Sequence, residues 1–127
     1  MVRPSLSKAE LEVARVLWQL GEGTVGTVHE AMSAEREIEY ATLQTYIRRL
    51  EAKGYIKSRR VGRTKLYTPK VRPKQVIRET VDDLMKLLFD GEPVPMVRHL
   101  VKERDLTADD IAELKRLVRE LERHSDD

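Results

Sequence analysis

The sequence predicts a mainly α-helical protein with one small β-hairpin, organised as two regions within 127 residues. Its apolar residues recur mostly at helical spacing, one stretch after residue 54 alternates as strands do, and its charge is unevenly distributed. A chain this short is expected to form one domain or two very small ones, burying about two-thirds of its unfolded surface. It therefore has little material for both a core and a deep substrate pocket.

The first helix is predicted over residues 8–20. Ser7-Lys8-Ala9-Glu10 has the pattern of a capping box, in which the Ser7 hydroxyl and the Glu10 carboxylate satisfy free backbone amides. Apolar residues then recur at helical spacing until two glycines end the pattern: Leu11, Ala14, Leu17 and Trp18, followed by Gly21 and Gly23.

Two further helices are predicted before residue 54. Thr24 can cap a short second helix, which has Val25, Val28 and Met32 on one face. The third helix is predicted from about Ala41 to Lys53, and Gly54 follows it in the usual position for glycine after a helix. Its buried stripe is Leu43, Ile47 and Leu50, and its other face carries Thr42, Thr45, Tyr46, Arg48, Arg49 and Lys53.

Beyond Gly54 the pattern changes to that of two short strands, at about residues 55–60 and 64–68. Val61-Gly62-Arg63 is predicted as the turn between them, and Pro69 ends the second strand. Three helices followed by a basic hairpin, or wing, is the element order of a winged helix-turn-helix domain. We predict a DNA-binding domain of this kind over residues 1–70.

A connector from Pro69 to Pro73 leads into a helical region, predicted as a dimerisation domain over residues 74–124. Its helices are predicted at about 74–89, at about 95–104 and after a cap at Thr107. Packing within one chain remains an alternative, but so short a helical region cannot easily bury its apolar residues alone, which favours a homodimer. The expected dimer residues are Ile77, Val81, Leu84, Leu88, Ile111, Leu114, Val118 and Leu121.

The net charge of +2 conceals a marked asymmetry. Residues 1–72 contain 14 Lys/Arg and 8 Asp/Glu, a charge of +6, whereas residues 73–127 contain 10 and 14, a charge of −4. Residues 40–72 alone carry ten basic side chains and a single acid, Glu51. Such segregation favours a face that binds a polyanion over an ordinary solvated surface.

The third helix and the hairpin form the candidate site. A helix can enter the major groove of DNA, and basic residues of a hairpin can neutralise phosphates and release counterions. A winged helix acting as a protein-interaction adaptor, with only non-specific DNA affinity, is the alternative. The side chains expected at bases or adjacent phosphates are Thr42, Thr45, Tyr46 and Arg49, and those expected on the backbone are Arg48, Lys53, Arg59, Arg60, Arg63 and Lys65.

No enzyme, metal or redox function is predicted. The sequence has no cysteine, and His29, His99 and His124 are scattered without a metal-ligand, nucleophile or phosphate-loop motif. We therefore expect no catalytic residues, no metal and no cofactor. Without a run of about 18 apolar residues or a signal-peptide pattern, we also expect a cytoplasmic protein with no membrane insertion.

Several segments resemble one family of bacterial regulators, and the resemblance covers about residues 5–124. Together they are similar to the penicillinase-repressor (BlaI/MecI) family of winged-helix transcriptional repressors. The matching segments are Leu6–Glu10 and Val16–Trp18 of the opening helix, Ala41–Leu50 with Lys53-Gly54 of the recognition helix, Gly62-Arg63 with Tyr67–Pro69 of the wing, and Ile111–Leu114 of the last helix.

The resemblance implies a homodimer that occludes a promoter by binding an inverted-repeat operator, with the third helix in the major groove and the wing on the backbone. It also implies relief of repression, which in antibiotic-responsive members follows cleavage of the C-terminal region by a membrane sensor protease. Those members carry an Asn-Phe cleavage pair where this chain has His99-Leu100, so the resemblance does not carry over that site or a β-lactam signal. Copper-responsive relatives use C-terminal cysteines, which this chain lacks.

Overall fold

The computed structural model describes residues 3–125 and divides the chain into two compact units, which meet between Val81 and Asp82. Within the described residues the elements are α1 (Lys8–Leu20), α2 (Val25–Ser33), α3 (Tyr40–Ala52), β1 (Ile56–Val61), β2 (Thr64–Pro69), α4 (Pro73–Phe89), α5 (Pro93–Glu103) and α6 (Ala108–Ser125). The predicted fold class, mainly α with a β-hairpin wing, is confirmed.

The predicted starts of α1, α2 and α6 are confirmed by their hydrogen bonds. The Glu10 amide donates to the Ser7 hydroxyl at 3.2 Å, and the Ser7 amide donates to the Glu10 carboxylate at 2.8 Å. Thr24 and Thr27 make the same reciprocal pair at the start of α2, and Thr107 and Asp110 do so at the start of α6. Each pair satisfies amides that the first turn of a helix leaves without a partner.

The core of the N-terminal unit lies between α1, α2, α3 and the base of the hairpin. The predicted stripe of α3 is confirmed, since Leu43, Ile47 and Leu50 are all fully buried. In α1 the buried face includes Val13, whereas Leu11 and Trp18 are only partly buried at its edge. The stripe of α1 is therefore turned slightly from the predicted one.

The hairpin is antiparallel, and its register places Arg60 opposite Lys65 and Val61 opposite Thr64. Val61 therefore belongs to β1, and the turn is the two residues Gly62 and Arg63 rather than the predicted three. Gly62 has φ +66°, a conformation that the first central residue of a tight hairpin turn requires and that glycine adopts without strain.

The helix α4 belongs to both units. Val76 in its first turns is buried in the N-terminal core, together with Val71 of the connector. In contrast, no residue of the described range 82–125 is buried. The compact units thus meet inside α4 rather than in the Pro69–Pro73 connector, and the assignment of a DNA-binding and a dimerisation domain stays a prediction. None of the helices in residues 3–125 combines the length and the apolar character that crossing a membrane requires.

Candidate nucleic-acid interface

The outward face of α3 is polar and basic. Because Leu43, Ile47 and Leu50 point into the core, the helical period of 3.6 residues turns Arg48 and Arg49 outwards, and both are exposed. Neither arginine forms a salt bridge with a carboxylate of residues 3–125. This face therefore presents two unneutralised guanidinium groups, the side chains best suited to guanine edges and phosphates.

The other three residues predicted to contact bases, Thr42, Thr45 and Tyr46, are half-buried at the edge of that face. The Thr45 hydroxyl donates to the carbonyl oxygen of Ala41 at 3.2 Å, which leaves its oxygen lone pairs as acceptors. The Tyr46 ring packs against the hydrophobic core, so part of its surface is already used. All three remain candidates for short-range contacts beside the arginines.

The wing concentrates positive charge at its tip. Arg60 and Lys65 lie directly opposite each other, so their side chains share one face of the hairpin, and Arg63 occupies the turn. All three are exposed, and none has a salt-bridge partner within residues 3–125. Like charges directly opposite destabilise a hairpin, so this arrangement suits a wing whose charges are neutralised by a bound anion.

Arg59 differs from its neighbours because it has a loose partner. Its guanidinium lies 3.6 Å from the Glu22 carboxylate, and the two side chains are 63% and 53% exposed. A pair this exposed is weak and easily exchanged for a phosphate contact. Arg59 therefore stays among the candidate residues.

The only acid in residues 40–72, Glu51, does not neutralise the wing. Its carboxylate accepts a hydrogen bond of 2.5 Å from the Ser58 hydroxyl, which joins the end of α3 to the base of β1. On the other strand, Tyr67 exchanges two backbone hydrogen bonds of 2.8 and 2.9 Å with Gly23. The bond from Ser58 fixes the hairpin beside α3, and the bonds to Gly23 join it to the loop between α1 and α2.

Lys53, which the sequence predicts to contact the DNA backbone, already has partners within the protein. Its ammonium donates to the Glu10 carboxylate at 2.8 Å and to the Ser5 carbonyl at 2.9 Å, and Glu10 is only 2% exposed. Burial by itself raises the pKa of Glu10, but the hydrogen bonds from Lys53 and Ser7 and the charge of Lys53 outweigh it, so the pKa lies below its ordinary value. Lys53 thus neutralises a buried carboxylate and ties α3 to the start of α1, and its contact with the DNA backbone stays a prediction.

Two exposed residues beside the site were missing from the predicted set. Gln44 lies one helical turn before Arg48 on α3, and its carboxamide can pair with an adenine edge. Lys57 is exposed on β1 and shares the face of Arg59. Both residues can be found from the sequence. The helical period places Gln44 off the buried stripe of α3, and strand alternation places Lys57 on the same face as Arg59.

The histidine of α2 has a structural position. The His29 Nε2 lies 2.8 Å from the Ile38 carbonyl, and its ring meets the Tyr40 ring edge-on at 5.6 Å between centroids. These contacts hold the loop between α2 and α3. Within residues 3–125 no group of three or more His, Cys, Asp or Glu side chains has the geometry to hold a metal ion.

Three helices, a two-residue hairpin turn and cations on both α3 and the wing define a winged helix-turn-helix protein. The family described as penicillinase repressor matches residues 6–120, and this chain belongs to that family. The proteins of this family are DNA-binding transcriptional repressors.

Individual relatives agree with this assignment. The transcriptional regulator BlaI of Mycobacterium tuberculosis is 34% identical over 119 residues, covering 92% of this chain and 85% of its own. The penicillinase repressor of Bacillus licheniformis is 27% identical over 117 residues, covering 92% and 91%. The solution structure of B. licheniformis BlaI in its monomeric form with the blaP half-operator is 32% identical with a TM-score of 0.50, covering 57% of this chain and 89% of that one.

Proposed function

We propose that this chain is a cytoplasmic homodimeric repressor that binds an inverted-repeat operator in double-stranded DNA and occludes a promoter. The observation that carries the proposal is the set of exposed cations on α3 and the wing that have no salt-bridge partner within residues 3–125, with Arg60 opposite Lys65. Two like charges opposite each other do not stabilise the folded hairpin. Two DNA phosphates would neutralise both charges and release counterions. The half-operator bound by the B. licheniformis relative supports the same partner for this chain.

Within this proposal α3 lies in the major groove. Arg49 and Gln44 are the residues with the reach and the planar donors for base edges, and Thr42, Thr45 and Tyr46 contact bases or adjacent phosphates. The phosphate contacts come from Arg48 of the helix and from the wing. The wing residues are Lys57, Arg59, Arg60, Arg63 and Lys65.

The homodimer is supported by the C-terminal unit, in which no described residue is buried. Of the seventeen exposed large hydrophobic residues in the described chain, fourteen lie between Ile77 and Leu121, and all eight predicted dimer residues are among them. A unit without a core of its own needs a second copy to bury this surface. A twofold symmetric pair presents its winged helices to two symmetric half-sites, which is why we propose an inverted repeat.

Relief by a membrane sensor protease is the regulatory part of the proposal. The helix α5 contains no buried residue and begins without a side-chain cap, and both His99 and Leu100 within it are exposed. A helix with so few anchors opens locally at low cost, which a protease requires because it binds extended chain. Cleavage within α5 would separate α6 from the winged helix and so weaken the dimer.

A mobility-shift titration of the full chain tests the proposal, using the DNA upstream of its own gene and a scrambled duplex at several salt concentrations. We expect tighter binding to one upstream segment, a steep loss of affinity with salt, and a sedimentation mass of two chains. A monomer with weak affinity that does not distinguish the duplexes would refute the repressor and favour the adaptor.

A further inference from the structure

The first described residues of the chain, Arg3 to Ser5, are held against the N-terminal unit along their whole length. We call them the N-terminal arm. The Arg3 guanidinium lies 2.6 Å from the Glu79 carboxylate of α4 and 5.5 Å from the centre of the Tyr55 ring. The Tyr55 hydroxyl donates to the Pro4 carbonyl at 2.7 Å, and Lys53 donates to Ser5. The arm therefore bridges the end of α3 and the second turn of α4.

The helix α4 has two different faces. Val76 and Glu79, three residues apart, lie on the face that contacts the N-terminal unit: Val76 is 2% exposed, and Glu79 pairs with Arg3. Ile77, Val81 and Leu84 lie more than a third of a turn around the same helix, and all three are exposed. The attachment of one face therefore fixes the direction in which the other points.

We infer that the N-terminal arm is a brace that sets the spacing between the two DNA half-sites, with Arg3 and Glu79 as positioning residues. The inference rests on the proposed homodimer. Val76 alone provides one attachment point about which α4 can tilt and rotate. The Arg3–Glu79 ion pair adds a second point on the same face, and two points restrain both motions.

The brace acts on geometry more than on stability. The two side chains are 25% and 30% exposed, and a partly solvated ion pair contributes little to the free energy of unfolding. The same contribution is enough to favour one orientation of α4 over others of similar energy. The Arg3–Glu79 pair of each protomer should therefore favour binding at the correct half-site spacing over binding at a wrong spacing by about two- to fivefold.

The experiment uses the full chain and duplexes that carry two copies of its preferred half-site, at the preferred separation and at separations one and two base pairs longer or shorter. The wild type is compared with Arg3→Gln, Glu79→Gln and the double variant. We expect unchanged affinity for a single half-site and a melting temperature lowered by a few degrees at most. The spacing penalty should fall about four- to twenty-fivefold, because both protomers lose the pair. Because both residues act through one contact, the double variant should behave like either single variant.

The control is Arg36→Gln, which removes a salt bridge of the N-terminal unit, to Glu12, that does not involve α4. It should keep the full spacing penalty. Arg3 and Glu79 variants that also keep the full penalty would overturn the brace while leaving the proposed repressor intact. A wild type that shows no spacing preference at all would instead refute the homodimeric operator complex.

Discussion

Neutralising Arg60 separates the role of the wing in binding from its role in folding. Arg60 faces Lys65 across the hairpin, and neither has a carboxylate partner in the described residues. In the free protein Arg60→Gln removes a repulsion between like charges, a cross-strand effect of about 0.2–1 kcal/mol before screening. We therefore expect the variant to be as stable as the wild type or slightly more stable in low salt.

The effect on DNA binding has the opposite sign. Each lost phosphate contact lowers the slope of log affinity against log salt by about 0.9 for duplex DNA, so two protomers lose about 1.8. When salt rises fourfold, the variant should lose about twelvefold less affinity than the wild type. Specific and scrambled duplexes should be affected alike, because phosphates carry no sequence information.

The assay is a salt titration of fluorescence anisotropy, combined with thermal melts of the free proteins. The matched control is Arg104→Gln, which removes an exposed charge that has no salt-bridge partner within residues 3–125 and should leave the slope unchanged. An unchanged slope for Arg60→Gln, or an equal change in the control, would refute a specific contact between the wing and phosphate.

Three further predictions concern base contact, assembly and pH. Arg49→Ala should relax sequence preference by about 1–3 kcal/mol at one base position, measured by competition with single-base operator variants, and equal losses on operator and random DNA would contradict this assignment. Leu114→Asp should shift the sedimenting mass from two chains to one, whereas Leu20→Asp, at a similarly exposed leucine of the N-terminal unit, should not. Because the pKa of Glu10 lies below its ordinary value, its ion pair with Lys53 stabilises the fold at neutral pH, and this stabilisation declines as the pH falls from about 4.5 through the lowered pKa. Glu10→Gln should therefore cost about 1–3 kcal/mol in urea unfolding at pH 7 and flatten the decline in acid, and an equally steep decline would contradict the linkage.

The sequence predicts best those elements whose structure is determined by residues within the element itself. The predicted stripe of Leu43, Ile47 and Leu50 is correct because these are the only large aliphatic residues of α3. In α1 apolar residues cover a wide arc, and periodicity alone does not tell which edge of that arc faces the core. Val13 is buried there, while Trp18 is partly exposed.

Local sequence patterns do not predict contacts between residues that are far apart along the chain. Lys53 has the charge expected of a phosphate contact, but its partner Glu10 lies 43 positions earlier in the chain. Arg3 and Glu79 are 76 positions apart, and nothing in either segment predicts their pairing. The turn was predicted one residue too long, and that single residue changes which cations face each other across the wing, placing Arg60 opposite Lys65.

Selection from a library of random duplexes by the full-length protein tests the central claim most directly. If a homodimer binds one duplex with both copies of α3 and the wing, the recovered sequences will share two half-sites in inverted orientation. Their centres will lie about one helical turn, or a whole number of turns, apart. Recovery of a single unrepeated motif would contradict the paired arrangement. Recovery of no common sequence would contradict the assignment of α3 to the bases.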